Sequence, residues 1–414
     1  MSEQPKGQKL VPQLRFKGFN DPWEQRKLSE LFNTTISNNT ISRNSLTQTP
    51  SSVQDIHYGD ILIKYPMLLN AQQENIPSIL DTVNVSTGKR ALQNGDIVIA
   101  DTAEDSAVGR TIEIRGIWKG QKVVAGLHTV PLRPLNKMGI GYLAYAMNSP
   151  AYRKQLMGLM QGVKVLSLTR SSLFQTQLRY PNNIAEQSQI GEFFKTLDDL
   201  IAACERKTEL LKKRKRYYLQ QIFSQRLRFK GFTQPWQERK LGELFDERAE
   251  RSAEGEMLSV TIGKGIVRSN ELERKDNSSA DKSNYKQVEP NDLAYNTMRM
   301  WQGACGVSKY SGIVSPAYTI AKPRMSTNPY FCNQLFKTNR ALYVFRCFSQ
   351  GLTSDTWNLK FPQFSDIGFK IPSKNEQDKI NIFLTIFDLH ISVNDKYIRL
   401  LNLKKQNYLH FLFI

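Results

Sequence analysis

Apolar positions recur at alternating steps of three and four along two long stretches, 185–222 and 375–412. In the first they fall at Ile190, Phe193, Leu197, Leu200, Cys204, Leu211, Tyr218 and Ile222. In the second they fall at Ile380, Phe383, Phe387, Ile391, Tyr397 or Ile398, Leu401, Tyr408 and Leu412. This is the seam of a coiled coil, and it predicts two helices of roughly 38 residues, about 57 Å each at 1.5 Å per residue. Pro181 and Pro372 lie just outside the helix starts, where they do no damage. Asn183 and Ser373 are candidate caps, and Glu186 and Glu376, three residues on, complete a capping box in each. Neither helix buries its seam alone. The spacing therefore predicts that they pack antiparallel against each other, with a globular segment at either end. Asn394 falls near the seam, where it either fixes register or points to solvent.

The remaining segments, 33–178 and 246–370, carry short β-type runs between turn residues. Asp60–Lys64, Asp96–Ala100, Val123–Arg133 and Val314–Ala321 read as strands, and Tyr142–Met147 and Tyr330–Arg340 as short helices. Each segment is a domain-sized α/β mixture.

The chain also repeats itself. Residues 14–32, LRFKGFNDPWEQRKLSELF, and 227–245, LRFKGFTQPWQERKLGELF, agree at 14 of 19 positions. The helix entries match as well: Glu186–Gln187 with Glu376–Gln377, Ile190 with Ile380, Asp198 with Asp388, Tyr218 with Tyr408. The order is motif, variable segment, helix, given twice. A shared frame with unlike inserts predicts a pseudo-twofold molecule presenting two different binding surfaces. Duplication followed by drift explains the repeat, but not why the ends stay alike while the middles diverge.

Charge narrows the partners. Among 414 residues, 57 Lys and Arg stand against 38 Asp and Glu, a net charge of +19, which points to a polyanion. With 40% apolar and 10% aromatic residues the chain can fill real cores. No apolar run reaches the length of a spanning helix, and the polar start MSEQPKGQKL does not read as a secretory signal. Cysteines at 204, 305, 332 and 347 form no CxxC pair, which argues against structural zinc and suits the reducing cytosol. The basic run Lys207, Lys212, Lys213, Arg214, Lys215, Arg216 is either a solvated helix face or a charge aimed at phosphates or an acidic partner.

Corresponding loops hold the candidate chemistry. NGDIVIADTAEDSAVGR (94–110) parallels PNDLAYNTMRMWQGACG (290–306). In the second, Arg299, Trp301 and Gln302 supply a cation, an aromatic ring and an amide suited to base edges and stacking; alternatively Met300 and Trp301 are core. QGVKVLSLTR (161–170) parallels QGLTSDTWNLK (350–360). Lys164, Ser167, Thr169 and Arg170, and Thr353, Ser354, Thr356 and Lys360, are candidates for phosphates or bases, though such residues are equally common in plain turns. Lys264 and Arg268 are further candidates. No GxxxxGK[ST] loop or HExxH set is present. Asp21–Pro22–Trp23 is only a fragment of a [DN]PP[FYW] methyltransferase tetrad, and its counterpart reads Gln234–Pro235–Trp236. No acid, base or nucleophile recurs at matched positions outside the shared motifs.

Across nearly its whole length the chain resembles the specificity subunits of type I restriction–modification systems. The carriers are the repeated LRFKGF…PW…RKLGELF opening, the P…EQ…I…LD helix entry, and the NDLAYNTMRMWQGACGVS and GIVSPAY stretches. The resemblance implies two α/β target-recognition domains in pseudo-twofold repeat, separated by two long antiparallel coiled-coil helices. The implied boundaries are 1–180 and 224–371 for the domains, with their opening motifs, and 181–223 and 372–414 for the helices. It implies a DNA-binding subunit without activity of its own, reading a bipartite duplex target. Two modification subunits would methylate adenine N6 with S-adenosylmethionine, and restriction subunits would bring ATP and Mg; this chain would bind no cofactor. Seam residues Phe193, Leu197, Leu211, Tyr218, Phe383, Phe387, Leu401 and Tyr408 are assigned to partner binding. A cytoplasmic location, away from membrane, follows. The rival readings are a stand-alone DNA methyltransferase, a coiled-coil scaffold for an acidic protein, and a recognition subunit exchanged between systems.

Overall fold

The computed structural model describes residues 10–33, 35–83, 87–272 and 281–414. The chain divides into two compact units, one of Met1–Glu205 with Lys396–Ile414, the other of Arg206–Asp395. The long helices run Ile184–Phe223 and Lys374–Phe411, within a residue or two of the predicted spans, and each contributes to both units.

Inside either unit the helical pieces pack antiparallel. In the first, Phe193 meets Tyr408 edge-on at 5.0 Å, Asp198 pairs with Lys405 at 2.5 Å, and Ile201, Cys204 and Leu401 form a buried cluster. In the second, Tyr218 meets Phe383 edge-on at 5.0 Å, Lys215 pairs with Asp388 at 2.7 Å, and the amide of buried Asn394 donates to Thr208 Oγ1 at 2.8 Å. The contacts correspond pair by pair, so the sequence repeat is also a repeat of packing. Asn394 faces the seam rather than solvent. Lys215 is engaged by Asp388, which withdraws it from the basic run proposed for DNA or a partner.

The opening motif is fastened to the helix entry by the same interaction in each unit. Arg15 donates from Nε and Nη2 to both oxygens of Glu186 at 2.7 and 2.8 Å, and Trp23 Nε1 reaches the same carboxylate at 3.3 Å. Arg228 grips Glu376 at 3.0 and 2.8 Å. Both glutamates are buried. Each arginine is held above its ordinary pKa, chiefly by the hydrogen bond to its glutamate. This corrects the capping-box expectation. Asn183 does accept from Ala185 N–H at 2.9 Å, but Glu186 and Glu376 turn to an arginine instead of reaching back to the cap. A fixed bidentate cation outcompetes one backbone amide for a buried carboxylate. The neighbouring glutamines are matched too. Gln187 bridges Pro181 O and Gly139 N, and Gln377 bridges Pro372 O and Asn328 N. Strand Glu24–Lys27 pairs antiparallel with Gln177–Tyr180, and Gln237–Lys240 with Gly368–Ile371, closing each frame.

Above each frame stands a sheet of the same order. In the first unit it runs Phe32–Asn33, Thr129–Pro134, Ile97–Ala100, Thr111–Arg115, with Leu68–Asn70 added in parallel at the edge. In the second it runs Phe245–Glu247, Tyr318–Pro323, Leu293–Asn296, Cys305–Val307. The aspartate opening the central strand is buried in both: Asp96 pairs with Arg133 at 2.7 Å, Asp292 with Arg248 at 2.6 Å.

Four element assignments differ from expectation. Asp60–Lys64 is not a strand but part of helix Tyr58–Ile63, because the His57 ring caps Gly59 N–H and Asp60 pairs with Arg43 in the first turn. Val123–Arg133 splits into Val123–Ala125 and Thr129–Pro134 in separate sheets, with His128 between them at φ +54°. Val314–Ala321 likewise divides between Gly312–Val314 and Tyr318–Pro323. The predicted helix Tyr330–Arg340 spans two, Pro329–Phe336 and Asn339–Phe348, because Thr338 caps Ala341 N–H and starts a new one.

Two stability predictions follow from these buried groups. Arg228→Ala leaves Glu376 charged and unpaired, so urea unfolding should show a loss of about 3 kcal/mol, while the joint change Arg228→Met, Glu376→Leu recovers most of it. Asp55 is buried, with Oδ1 unpartnered and Oδ2 accepting from Asn39 at 2.5 Å, and burial lifts its pKa to about 6. Since the folded value lies above the unfolded one, the carboxyl favours folding only when protonated, and stability falls as pH rises from 4 through 6. Asp55→Asn should match the native chain below pH 4 and exceed it by about 2–3 kcal/mol at pH 8.

Candidate nucleic-acid interface

In both units the fold brings the two predicted loops together. In the first, Leu166–Ser167 pairs with Thr102–Ala103, and Leu168 N–H donates to Asp101 O at 2.8 Å. In the second, Leu359 N–H donates to Thr297 O at 2.9 Å, and Trp301 meets Trp357 edge-on at 5.2 Å. The loop after the central strand therefore lies beside the loop after the short helices in each case.

The second-unit surface is a patch of rings and cations. Arg346 stacks over Trp357 at 5.1 Å, and Trp301 anchors its Nε1 on Met298 O at 3.1 Å. Met300 is buried, but Trp301, Gln302 and Arg299 are half-exposed. Trp301 is thus neither wholly core nor free: it packs on Trp357 and against the core of the second unit, and stays half-exposed. Among the described residues Arg299 makes no side-chain ion pair, and Lys360 is exposed at the start of helix Phe361–Ser365. Ser354 is exposed, whereas Thr356 closes its own turn, accepting from Thr353 N–H at 3.1 Å. Arg346 and Trp357 were not singled out from sequence. Arg346 sits within the amphipathic helix Asn339–Phe348, where an outward cation carries no distinguishing pattern.

The first-unit surface is built otherwise. Lys164 is exposed and Ser167 half-buried in the pairing strand. Thr169 caps helix Arg170–Gln175, accepting from Ser172 N–H at 3.1 Å. Arg170 donates to Ile36 O at 3.1 Å and lies over Phe174, and burial lowers its pKa. Thr169 and Arg170 therefore have structural work to do. Beside the loop stand residues not singled out from sequence. Tyr58 and His128 meet edge-on at 5.3 Å, and His128 Nδ1 lies 3.3 Å from Thr102 Oγ1. Arg110 and Arg153 brace this region through backbone carbonyls, Arg110 on Leu62 O and Tyr65 O, Arg153 on Val108 O.

Lys264 and Arg268 fall elsewhere in the second unit, on the hairpin Leu258–Thr261 with Gly265–Arg268. Lys264 is exposed in the turn, while Arg268 pairs with Glu256 at 3.0 Å and covers Tyr310 at 4.6 Å. The eight seam residues assigned to partner binding are used differently as well. Phe193, Tyr408, Tyr218, Phe383 and Phe387 contact one another across the seams, Leu197 and Leu401 join the cluster around Cys204, and Leu211 is half-buried. A seam that closes within the chain leaves these side chains little surface for another subunit. Apolar side chains that do face outward on the second helix include Ile382, Ile386, Leu389 and Val393.

Among the described residues no cluster of three His, Cys, Asp or Glu could hold a metal, and no helix is long and apolar enough to cross a membrane.

Comparison with known proteins agrees with this architecture. Residues 20–213 match the family model of the type I restriction modification DNA specificity domain. Over 98% of this chain and 99% of the other, the fold matches the crystal structure of a type I restriction–modification system S subunit from M. genitalium, with a TM-score of 0.60 at 14% identity. A chain from a structural study of complex assembly and conformational transition in the type I system matches over 94% of this chain and 96% of its own, with a TM-score of 0.51 at 15% identity. A search of the curated proteins found no match. Residues 20–213 are thus similar to the type I restriction modification DNA specificity domain, and the second half repeats the first in sequence and packing.

Proposed function

We propose that each unit reads one half of a split duplex target, and that the chain directs adenine-N6 methylation and restriction without catalysing either. The observation that carries this is one frame built twice, under two loop pairs of different chemistry. Identical anchoring suits identical partners; unlike loops suit unlike half-sites. Two modification subunits would supply S-adenosylmethionine, and restriction subunits ATP and Mg, in the cytoplasm where the DNA is. The exposed cations hold phosphates and set orientation, while a few loop side chains read base edges. A stand-alone methyltransferase reading would require S-adenosylmethionine to crosslink to the isolated chain, and a coiled-coil scaffold would show no sequence preference on DNA.

The decisive experiment is to map methylated adenines in cells with and without this chain: a bipartite motif that appears only with it supports the reading, and an unchanged pattern sinks it. Removing matched heptads from both long helices, about 10 Å of helix, should alter the number of unread base pairs between half-sites and leave both half-sites intact. Arg299→Ala should relax one position of the second half-site by about 1–3 kcal/mol; equal weakening on all sequences would make Arg299 a phosphate contact. Lys164→Ala and Lys360→Ala should weaken binding on all sequences alike, each reducing the salt-dependence slope by about one.

A further inference from the structure

Val163 and Leu352 occupy the same place in the two paired loops, directly after the glycine of each Gln-Gly step. Both are fully exposed, at 98% and 101%. Each preceding glycine is indispensable to the loop: Gly162 has φ +110° and Gly351 φ +144°. A Cβ on Gly162 would overlap the Val165 carbonyl, and one on Gly351 would come within 2.6 Å of Thr356 O. A matched bridge closes each loop, Gln161 with Ser167 and Gln350 with Asn358. The backbone is thus constrained twice, in the same way, to hold the next side chain outward.

A single exposed aliphatic residue needs no explanation. Two at one glycine-fixed position do, because the residues that follow share almost nothing: Lys-Val-Leu-Ser in one loop, Thr-Ser-Asp-Thr in the other. Leaving such a side chain in water contributes nothing to stability. Lys164 flanks the first tip, and the Trp301, Trp357 and Arg346 patch adjoins the loop that carries the second. Along the major groove the base edges present donors and acceptors, with one apolar group among them, the C5-methyl of thymine.

We propose that Val163 and Leu352 are apolar base readers, each packing against a thymine methyl in its own half-site. The assignment rests on the specificity function proposed above. Polar loop residues then reject wrong hydrogen-bonding patterns, while the tip distinguishes thymine by its methyl group.

The test uses the full chain assembled with its modification subunits. Methylation maps of Val163→Ser and Leu352→Ser should each relax one thymine position, in one half-site and not the other. Replacing that thymine by uracil in a duplex should weaken binding of the native complex about fourfold, the worth of one buried methyl group, and leave the matching variant unaffected. A consensus unchanged by both variants, an equal loss on every duplex, or a loss of subunit assembly measured by sedimentation would each overturn the assignment. A wild-type chain that imposes no methylation pattern would overturn the specificity reading itself, whereas an imposed pattern indifferent to both tips would overturn the tip assignment alone.

Discussion

The structure depends on a carboxylate buried at the root of each long helix. Glu186 and Glu376 have almost no exposure, and a buried charge of this kind is tolerable only with a fixed, hydrogen-bonded partner. The partner is the arginine of the repeated opening motif, Arg15 or Arg228, 171 or 148 residues away along the chain. The pair therefore forms only when the whole variable segment has folded back to return the chain to its starting point. Breaking it leaves a lone charge in the interior, whereas its gain over an apolar pair is small. That asymmetry makes the contact a device for specifying the closed frame more than a source of stability.

Around this anchor the frame is decided by residues whose chemistry leaves few alternatives. Phe16 and Phe229 pack edge-on against Phe193 and Phe383, which in turn meet Tyr408 and Tyr218. Asp198 and Asp388 find Lys405 and Lys215. These matched contacts were legible as sequence identities, and the seams as a three-four period, because long-range periodicity survives any local ambiguity. The role of the glutamates was not legible. Three residues after a cap, a glutamate looks like a capping-box member, and only the return of a distant arginine reassigns it. Asp60–Lys64 misled for a similar reason: a run of three aliphatics between two charged residues fits a strand or a helix equally well, and the His57 cap with the Arg43–Asp60 pair decides for helix.

The candidate interface was legible in part. Both loop pairs could be located from their position relative to the frame, since the strand and helix boundaries bracketing them recur. Which side chains within them are available could not be read, because availability depends on contacts across the fold. Thr169 and Arg170 look like phosphate ligands in sequence, yet one caps a helix and the other reaches Ile36 O. Arg346 looks like an ordinary surface cation on a helix, yet it stacks on Trp357.

The same distinction changes the meaning of the net charge of +19. Arg15, Arg228, Arg133, Arg248, Lys215 and Lys405 are each matched to a carboxylate that the frame or the sheet requires. Arg110 and Arg153 are drawn inward to backbone carbonyls, and desolvation lowers both pKa values. Cations of this class build the protein and contribute little to a phosphate-facing field. Because they sit with their counter-charges, the excess positive charge resides on the exposed side chains that have none. Lys164, Lys264 and Lys360 are of that second kind, and so are Lys207, Lys213, Arg214 and Arg216 on the first long helix. The exposed positive charge is therefore divided between the paired loops and the first long helix, and only part of it stands beside the side chains that differ between the units.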